Sequence, residues 1–472
     1  MNFKNLIKCI FCLIISGKSF AQKQPVEKRL DSLFNALAAQ NQFNGSVLIA
    51  EKGKVLYKAG KGYSNETSQE LNNPQTVFEL ASCSKQFVGV GVALLHKEGK
   101  INYMDDITKY IPELVNFKGV SIYNLLHHTS GVPEYLESFR EDWKNKQIAT
   151  NNDLISYYSN RKDTLKFQPQ TRHRYCNTNY AFLATIIERV SGKSLNKYLS
   201  EKIFKPLNMH NTFVYNRRLE PKTIKNYAHG YVWIKNSFEK AAEDDPRVGR
   251  MDVYYMDGIV GGAKINSTVE DLYKWYNALK KNKLLTQNEF NEVLQVSQTV
   301  SGKKINYGFG FDVSLKDGKL YSYGHTGSWD GYITLTYHNV EKDRTIIVLN
   351  NFDKGVAPYE DIVSILDGTS SLNRIPKKID LSEIEIAKFA GVYIDPDDPS
   401  SKHLVTYLNK HLIYNTDRVE WDMRFFPTSA NTFQAIRQGG ADGVLKFTGQ
   451  NDGTVKLEMV QYGQTVGKGI RK

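Results

Sequence analysis

The stretch Phe78-Glu79-Leu80-Ala81-Ser82-Cys83-Ser84-Lys85 decides how this chain is read. Phe78-Glu79-Leu80 looks like a strand leading into a turn. The apolar run from Phe87 to Leu95 reads as a buried helix that stops at Gly99. Ser82 and Lys85 then lie one helical turn apart on a shared face. A serine hydroxyl is a poor nucleophile until a base takes its proton. A lysine partly desolvated by an apolar helix loses basicity and can serve as that base. The helix N-terminus favours the negative charge that develops. Ser-x-x-Lys also occurs at Ser159/Lys162, Ser194/Lys197 and Ser301/Lys304, so spacing alone selects nothing. The approach before Ser82 and the buried helix behind it do.

Working outward, residues 26–40 predict an amphipathic helix with Leu30, Leu33, Phe34 and Leu37 on one face. Ser46 to Ala50 and Lys54 to Tyr57 predict a hairpin around Glu51-Lys52-Gly53. The middle, 100–300, is mostly helical. Tyr180 to Val190 is in helical phase with Gly192 as its stop, and Ser267-Thr268-Val269-Glu270 reads as a capping box for a helix over 270–279. Strand patterns return at Tyr307 to Phe311, Leu320 to Tyr323, Tyr332 to His338 and Thr345 to Leu349, with a closing helix over 359–366. Early and late strands would pair across a helical insertion, which is an α+β antiparallel sheet flanked by helices. A linker over 367–380 leads to a tail, 381–472, of short evenly spaced strands that predict a small all-β barrel-like domain.

Two further motifs carry chemistry. Tyr175-Cys176-Asn177 precedes the helix near Tyr180. A phenol relays protons if nearby cations such as Lys85 lower its pKa, and an Asn amide can orient Lys85 and a substrate carbonyl together. Single Tyr-x-Asn triplets, also present at Tyr63, Tyr158 and Tyr407, usually mark turns. His325-Thr326-Gly327 lies on a late strand. Gly327 would let a substrate approach the backbone closely. The N–H of Ser328 could join that of Ser82 as an oxyanion hole.

Three weak signals in this order resemble the serine β-lactamase and penicillin-binding protein superfamily. The nearest likeness is to class C β-lactamases and the carboxypeptidases, esterases and D-aminopeptidases of that branch. Leu125 to Pro133, Ile203 to Met209 and Gly258 to Ala263 support it, and the resemblance covers about residues 30–366. It implies a β-lactamase/transpeptidase-like fold over 22–366. By resemblance, Ser82 is the acylated nucleophile, Lys85 the base or proton relay, and Tyr175 the handler of the proton in acylation and deacylation. Asn177 binds the acyl amide, His325, Thr326 and Gly327 line the substrate, and the N–H groups of Ser82 and Ser328 hold the oxyanion. Efficient β-lactamases usually carry Lys where His325 stands. A histidine is at best partly charged at neutral pH, which favours a carboxypeptidase, amidase or esterase over a dedicated β-lactamase. A penicillin-binding or sensor module with little turnover is the alternative.

The 472 residues, 41% hydrophobic with 34 Gly and 13 Pro, exclude low-complexity and collagen-like chains. No stretch of about 20 apolar residues predicts a membrane span. Lys4 and Lys8, the apolar Cys9 to Ile15 and the small residues near Ala21 predict a signal peptide over 1–21, hence an exported, periplasmic or secreted protein. Its loss would take the net charge from +12 to +9 and leave Cys83 and Cys176. The charge is spread evenly, so nucleic acid is not an expected partner. The expected partner is a small-molecule or peptide substrate. The scattered histidines predict no metal, and no cofactor is expected. Cys83 and Cys176 could form a disulfide or remain two small buried thiols; the sequence gives no distance between them.

Overall fold

The computed structural model describes residues 25–39, 42–144, 147–161, 164–233, 240–242, 254–353, 355–369, 377–408, 410–416, 424–436, 442–461 and 464–471. The expected leader, 1–21, and residues 370–376 of the expected linker lie outside them.

The central sheet has six antiparallel strands: β1 (Gly45–Glu51), β2 (Lys54–Lys61), β3 (Asp312–Lys316), β4 (Lys319–Trp329), β5 (Tyr332–Asn339) and β6 (Arg344–Asn350). Their spatial order is β3-β4-β5-β6-β1-β2. β1 and β6 pair with Val47 opposite Val348, so the early hairpin and the late strands do meet across the insertion.

Side chains alternate across a strand, and both faces of this sheet are covered. Val47 and Ile49 of β1 pack with Ile346 and Val348 against helix α1 (Val26–Ala39) through Leu30, Leu33 and Phe34. Leu48, Ala50, Ile347 and Leu349 face the opposite way, into the larger core. That core is built around α2 (Lys85–Lys97), α3 (Asn177–Ser191) and α4 (Val269–Lys280). Each such buried aliphatic or aromatic side chain contributes about 1.5–3 kcal/mol. Helix α5 (Tyr359–Leu366) closes the α1 side with Ile362 and Ile365.

Two local expectations shift. Tyr307 to Phe311 forms no strand: Gly308 and Gly310 press against backbone, and a Cβ on them would lie 2.3 Å from the Val293 carbonyl oxygen and 2.2 Å from that of Lys85. The segment is a loop braced against the start of α2, and the strand begins at Asp312. Helix α4 is capped by Thr268, whose hydroxyl accepts from the Asp271 N–H, one residue later than expected.

Beyond the sheet, eight strands close an antiparallel barrel: Gly391–Ile394, Lys402–Leu408, His411–Thr416, Arg424–Ser429, Thr432–Ile436, Asp442–Gly449, Val455–Gln461 and Gln464–Arg471. The last pairs with the first at Ile470 and Ile394.

Candidate active site

Ser82 lies in a 3₁₀ turn, Ala81–Ser84, and Lys85 opens α2 directly behind it. The turn is anchored from both sides. The Leu80 N–H donates to the Ile265 carbonyl at 2.8 Å, and the Ser84 hydroxyl accepts from the Ile265 N–H at 3.1 Å. Ala81, just before Ser82, holds a left-handed φ of 50°, a strained conformation of the sort that collects at functional sites.

Lys85 is 0% exposed. Its Nζ lies 2.9 Å from Ser82 Oγ, 2.9 Å from Asn177 Oδ1 and 2.8 Å from the Gly262 carbonyl oxygen. Burial brings the amine down to about 7, against the opposing pull of Glu134. A neutral amine has two N–H groups and one lone pair. The Asn177 and Gly262 oxygens can only accept, so they take the two N–H groups, and the lone pair is left facing the Ser82 hydroxyl.

Asn177 is the first residue of α3, with Cys176 as its N-cap. Glu134 fixes its amide: the Glu134 carboxylate accepts the Asn177 backbone N–H at 2.6 Å and Nδ2 at 3.2 Å, which turns Oδ1 toward Lys85. Burial raises the Glu134 pKa. No sequence motif singled out Glu134; its only signal is a place just after the Leu125 to Pro133 stretch.

The Tyr175 ring centroid lies 4.9 Å from Lys85 Nζ and 4.3 Å from that of His128. The residue is 38% exposed, so solvent reaches the cleft beside it. The expectation that Lys85 lowers the phenol's pKa is not met. Burial of the hydroxyl raises it against the opposing Ser82 hydrogen bond, so Tyr175 keeps its proton at neutral pH.

His325, Thr326, Gly327 and Ser328 lie on β4, where Thr326 and Ser328 are exposed and His325 and Gly327 buried. His325 Nδ1 donates to the Thr326 carbonyl, so Nε2 accepts from the Tyr307 hydroxyl at 2.9 Å. Burial lowers the His325 pKa, which makes this imidazole neutral rather than partly charged. Gly327 serves the protein's own packing: a Cβ there would lie 2.4 Å from Thr334 Oγ1 and 2.6 Å from the Leu80 carbonyl oxygen. The missing side chain lets β4 approach the turn that carries Ser82.

Cys83 and Cys176 are free, buried thiols. Cys83 Sγ donates to the His325 carbonyl at 3.1 Å and Cys176 Sγ to that of Val132 at 3.5 Å. Burial pushes them up to about 11 and about 12, so both stay protonated. Among the described residues no group of three or more His, Cys, Asp or Glu could hold a metal ion, and no helix is long and apolar enough to cross a membrane.

The sequence profile of the Beta-lactamase family matches residues 30–367. Penicillin-binding protein 4* of Bacillus subtilis (strain 168) is 36% identical over 341 residues, 72% of this chain and 75% of its own length. Teichoic acid D-alanine hydrolase of Staphylococcus aureus (strain NCTC 8325 / PS 47) is 28% identical over 332 residues, 70% of this chain and 74% of its own. The octameric penicillin-binding protein homologue from Pyrococcus abyssi superposes with a TM-score of 0.64 at 21% identity, over 95% of this chain and 100% of that one. With the sheet, the insertion and the Ser82 turn built as described, the chain belongs to the Beta-lactamase family and is a β-lactamase-related serine hydrolase.

Proposed function

We propose that the protein cleaves amide or ester bonds through an acyl-enzyme on Ser82. The observation that carries this reading is the contact of a fully buried Lys85 amine, at about 7, with Ser82 Oγ at 2.9 Å. In the neutral form Lys85 takes the Ser82 proton as Oγ attacks the carbonyl carbon. The N–H groups of Ser82 and Ser328 stabilise the oxyanion. Tyr175, protonated and reachable from solvent, supplies the proton that the leaving alcohol or amine needs. Water then attacks the acyl carbon and gives its proton to the Tyr175 phenolate, and the Lys85 ammonium returns its proton to Ser82 Oγ as the acid leaves. Asn177 orients both Lys85 and the acyl group, and Thr326 contacts the leaving side.

The substrate class we infer is a D-amino-acid ester or peptide, with β-lactams as acylating mimics. The neutral His325 favours the ester or amide over a substrate with a free carboxylate, because a permanent cation is lacking at that position. The name of the S. aureus relative points the same way. We further propose that residues 1–21 direct export, that 22–366 form the hydrolase and that 381–472 form an accessory domain joined by 367–380.

Mass spectrometry after treatment with a fluorophosphonate or penicillin tests the reading. One adduct on Ser82, lost in Ser82→Ala, is expected. A folded wild-type protein that gains no mass at Ser82 overturns it. A panel of a chromogenic cephalosporin, a D-Ala-D-Ala peptide, D-aminoacyl amides and D-alanyl esters then sets the class. Steady release rather than a single burst separates an enzyme from a sensor.

A further inference from the structure

A chain of buried ions that the proposed chemistry does not use runs beside the site. Glu79 Oε1 lies 3.0 Å from Lys264 Nζ, and Lys264 also pairs with Asp257. Asp257 Oδ1 lies 3.1 Å from Arg218 Nη1, and Arg218 pairs with Asp330. Asp330 Oδ2 is also 2.6 Å from Arg217 Nη2, whose Nη1 donates to the Tyr332 hydroxyl at 3.0 Å. Among the described residues, three cations, Lys264, Arg217 and Arg218, face three carboxyl groups, Glu79, Asp257 and Asp330. Burial opposes ionisation of Asp257, yet Lys264, Arg217 and Arg218 hold its pKa at about 2.

Buried ion pairs are poor stabilisers, since packed apolar residues of like volume often do as well or better. This one also leaves Asp330 Oδ1 and Arg218 Nη2 buried without a hydrogen-bond partner. Its two ends suggest a different use. Glu79 is three residues before Ser82, on the short strand Phe78–Glu79, which pairs with Ile265–Ser267 just after Lys264. Asp330 is two residues after Ser328, at the tip of the β4–β5 hairpin, where its φ is 45° and that of Gly331 is 91°. The Lys264 ammonium also lies 5.3 Å from the centroid of the Trp329 ring, between those ends.

We infer that the chain Glu79–Lys264–Asp257–Arg218–Asp330 is a positioning device that holds the backbone N–H of Ser82 and that of Ser328 at a fixed separation, and so sets the oxyanion hole. Glu79, Lys264 and Asp330 are positioning residues; none needs to touch substrate. The inference rests on the acyl-enzyme reading above. A hole built of preorganised donors costs no reorganisation as charge develops, and small displacements of its donors are felt in the rate.

The test uses the full chain with Glu79→Gln, Asp330→Asn and the double variant, each checked for fold by circular dichroism. Inactivation by a fluorophosphonate is resolved into a limiting rate and a half-saturating concentration. Binding of phenylboronic acid, which forms a tetrahedral adduct on serine, is measured alongside. Each single variant is expected to lose about tenfold in both limiting rate and boronate affinity, with half-saturation within about twofold. The double variant should lose no more than the worse single, because both act through one chain. Where the neutral variants do not fold, Asp330→Glu keeps the charge, lengthens the arm and is expected to show the same loss. Folded variants with unchanged limiting rate and boronate affinity overturn the inference, and so do losses that multiply in the double. If wild-type protein forms no Ser82 adduct, the hydrolase reading falls and this one with it; if it does and the variants are silent, only the positioning role falls.

Discussion

At the scale of single residues, the protonation state of Lys85 governs the proposed reaction. Its pKa is brought down to about 7 by burial, so the free amine, the form able to accept a proton, dominates above that value. The acylation rate should therefore climb about tenfold per pH unit below 7 and level off above it, measured as fluorophosphonate inactivation from pH 5 to 9. Lys85→Met should lower the plateau by about 10²–10⁴. A profile that is flat across pH 7 would remove Lys85 as the base. The contact of Ser82 with Lys85 was legible in the sequence because it is local, spanning three residues from the 3₁₀ turn to the first residue of α2. Tyr175 and Asn177 were legible as a triplet in the right order. Glu134 was not, because its role exists only as a contact of 2.6 Å and 3.2 Å with Asn177, 43 residues further along. The charge of His325 was misjudged for a similar reason: its burial comes from neighbours such as Tyr307, which the strand pattern does not reveal.

At the scale of elements, the site is a junction between a strand and a turn, and Gly327 sets how close they come. A methyl group there would meet Thr334 Oγ1 at 2.4 Å and the Leu80 carbonyl oxygen at 2.6 Å, the latter backbone that cannot easily yield. Gly327→Ala is expected to cost about 1–3 kcal/mol of stability and to slow Ser82 acylation in the protein that folds. Ser328→Ala changes an exposed side chain and leaves the backbone N–H in place, so its rate should stay within about twofold of wild type. Thermal melting and inactivation rates check both; a tolerated Gly327→Ala would mean that the turn has room to spare. The helices and the β1–β2 hairpin were readable because periodicity and turn residues agree there: Leu30, Leu33, Phe34 and Leu37 share a face, and Lys52 and Gly53 take φ of 50° and 77°. Tyr307 to Phe311 misled because its alternating aromatics and glycines imitate a strand. Its glycines are in fact contact points, Gly310 against the Lys85 carbonyl.

At the scale of the whole molecule, the buried residues divide into separate groups. The two that cover the sheet's faces draw on residues 30 to 365. The barrel has its own core, from Ile386 and Phe389 to Leu457 and Met459. Its strands form a closed ring, so the barrel needs no neighbour to cover an edge. In the sequence the barrel was signalled by short, evenly spaced strands after 381. Ser82, Lys85, Tyr175, Asn177, Glu134, Gly262 and Ser328 all precede residue 370, as does every ion of the Glu79–Asp330 chain. A chain ending at residue 369 should then fold on its own and acylate Ser82 at a rate within about twofold of the full chain. Circular dichroism with a cooperative melt, followed by fluorophosphonate inactivation, checks this. An unfolded or aggregated product would show that the barrel supports the hydrolase core. A folded product that has lost acylation would show that the barrel completes the cleft, and substrate selection would then have to be sought in the tail as well as in β4.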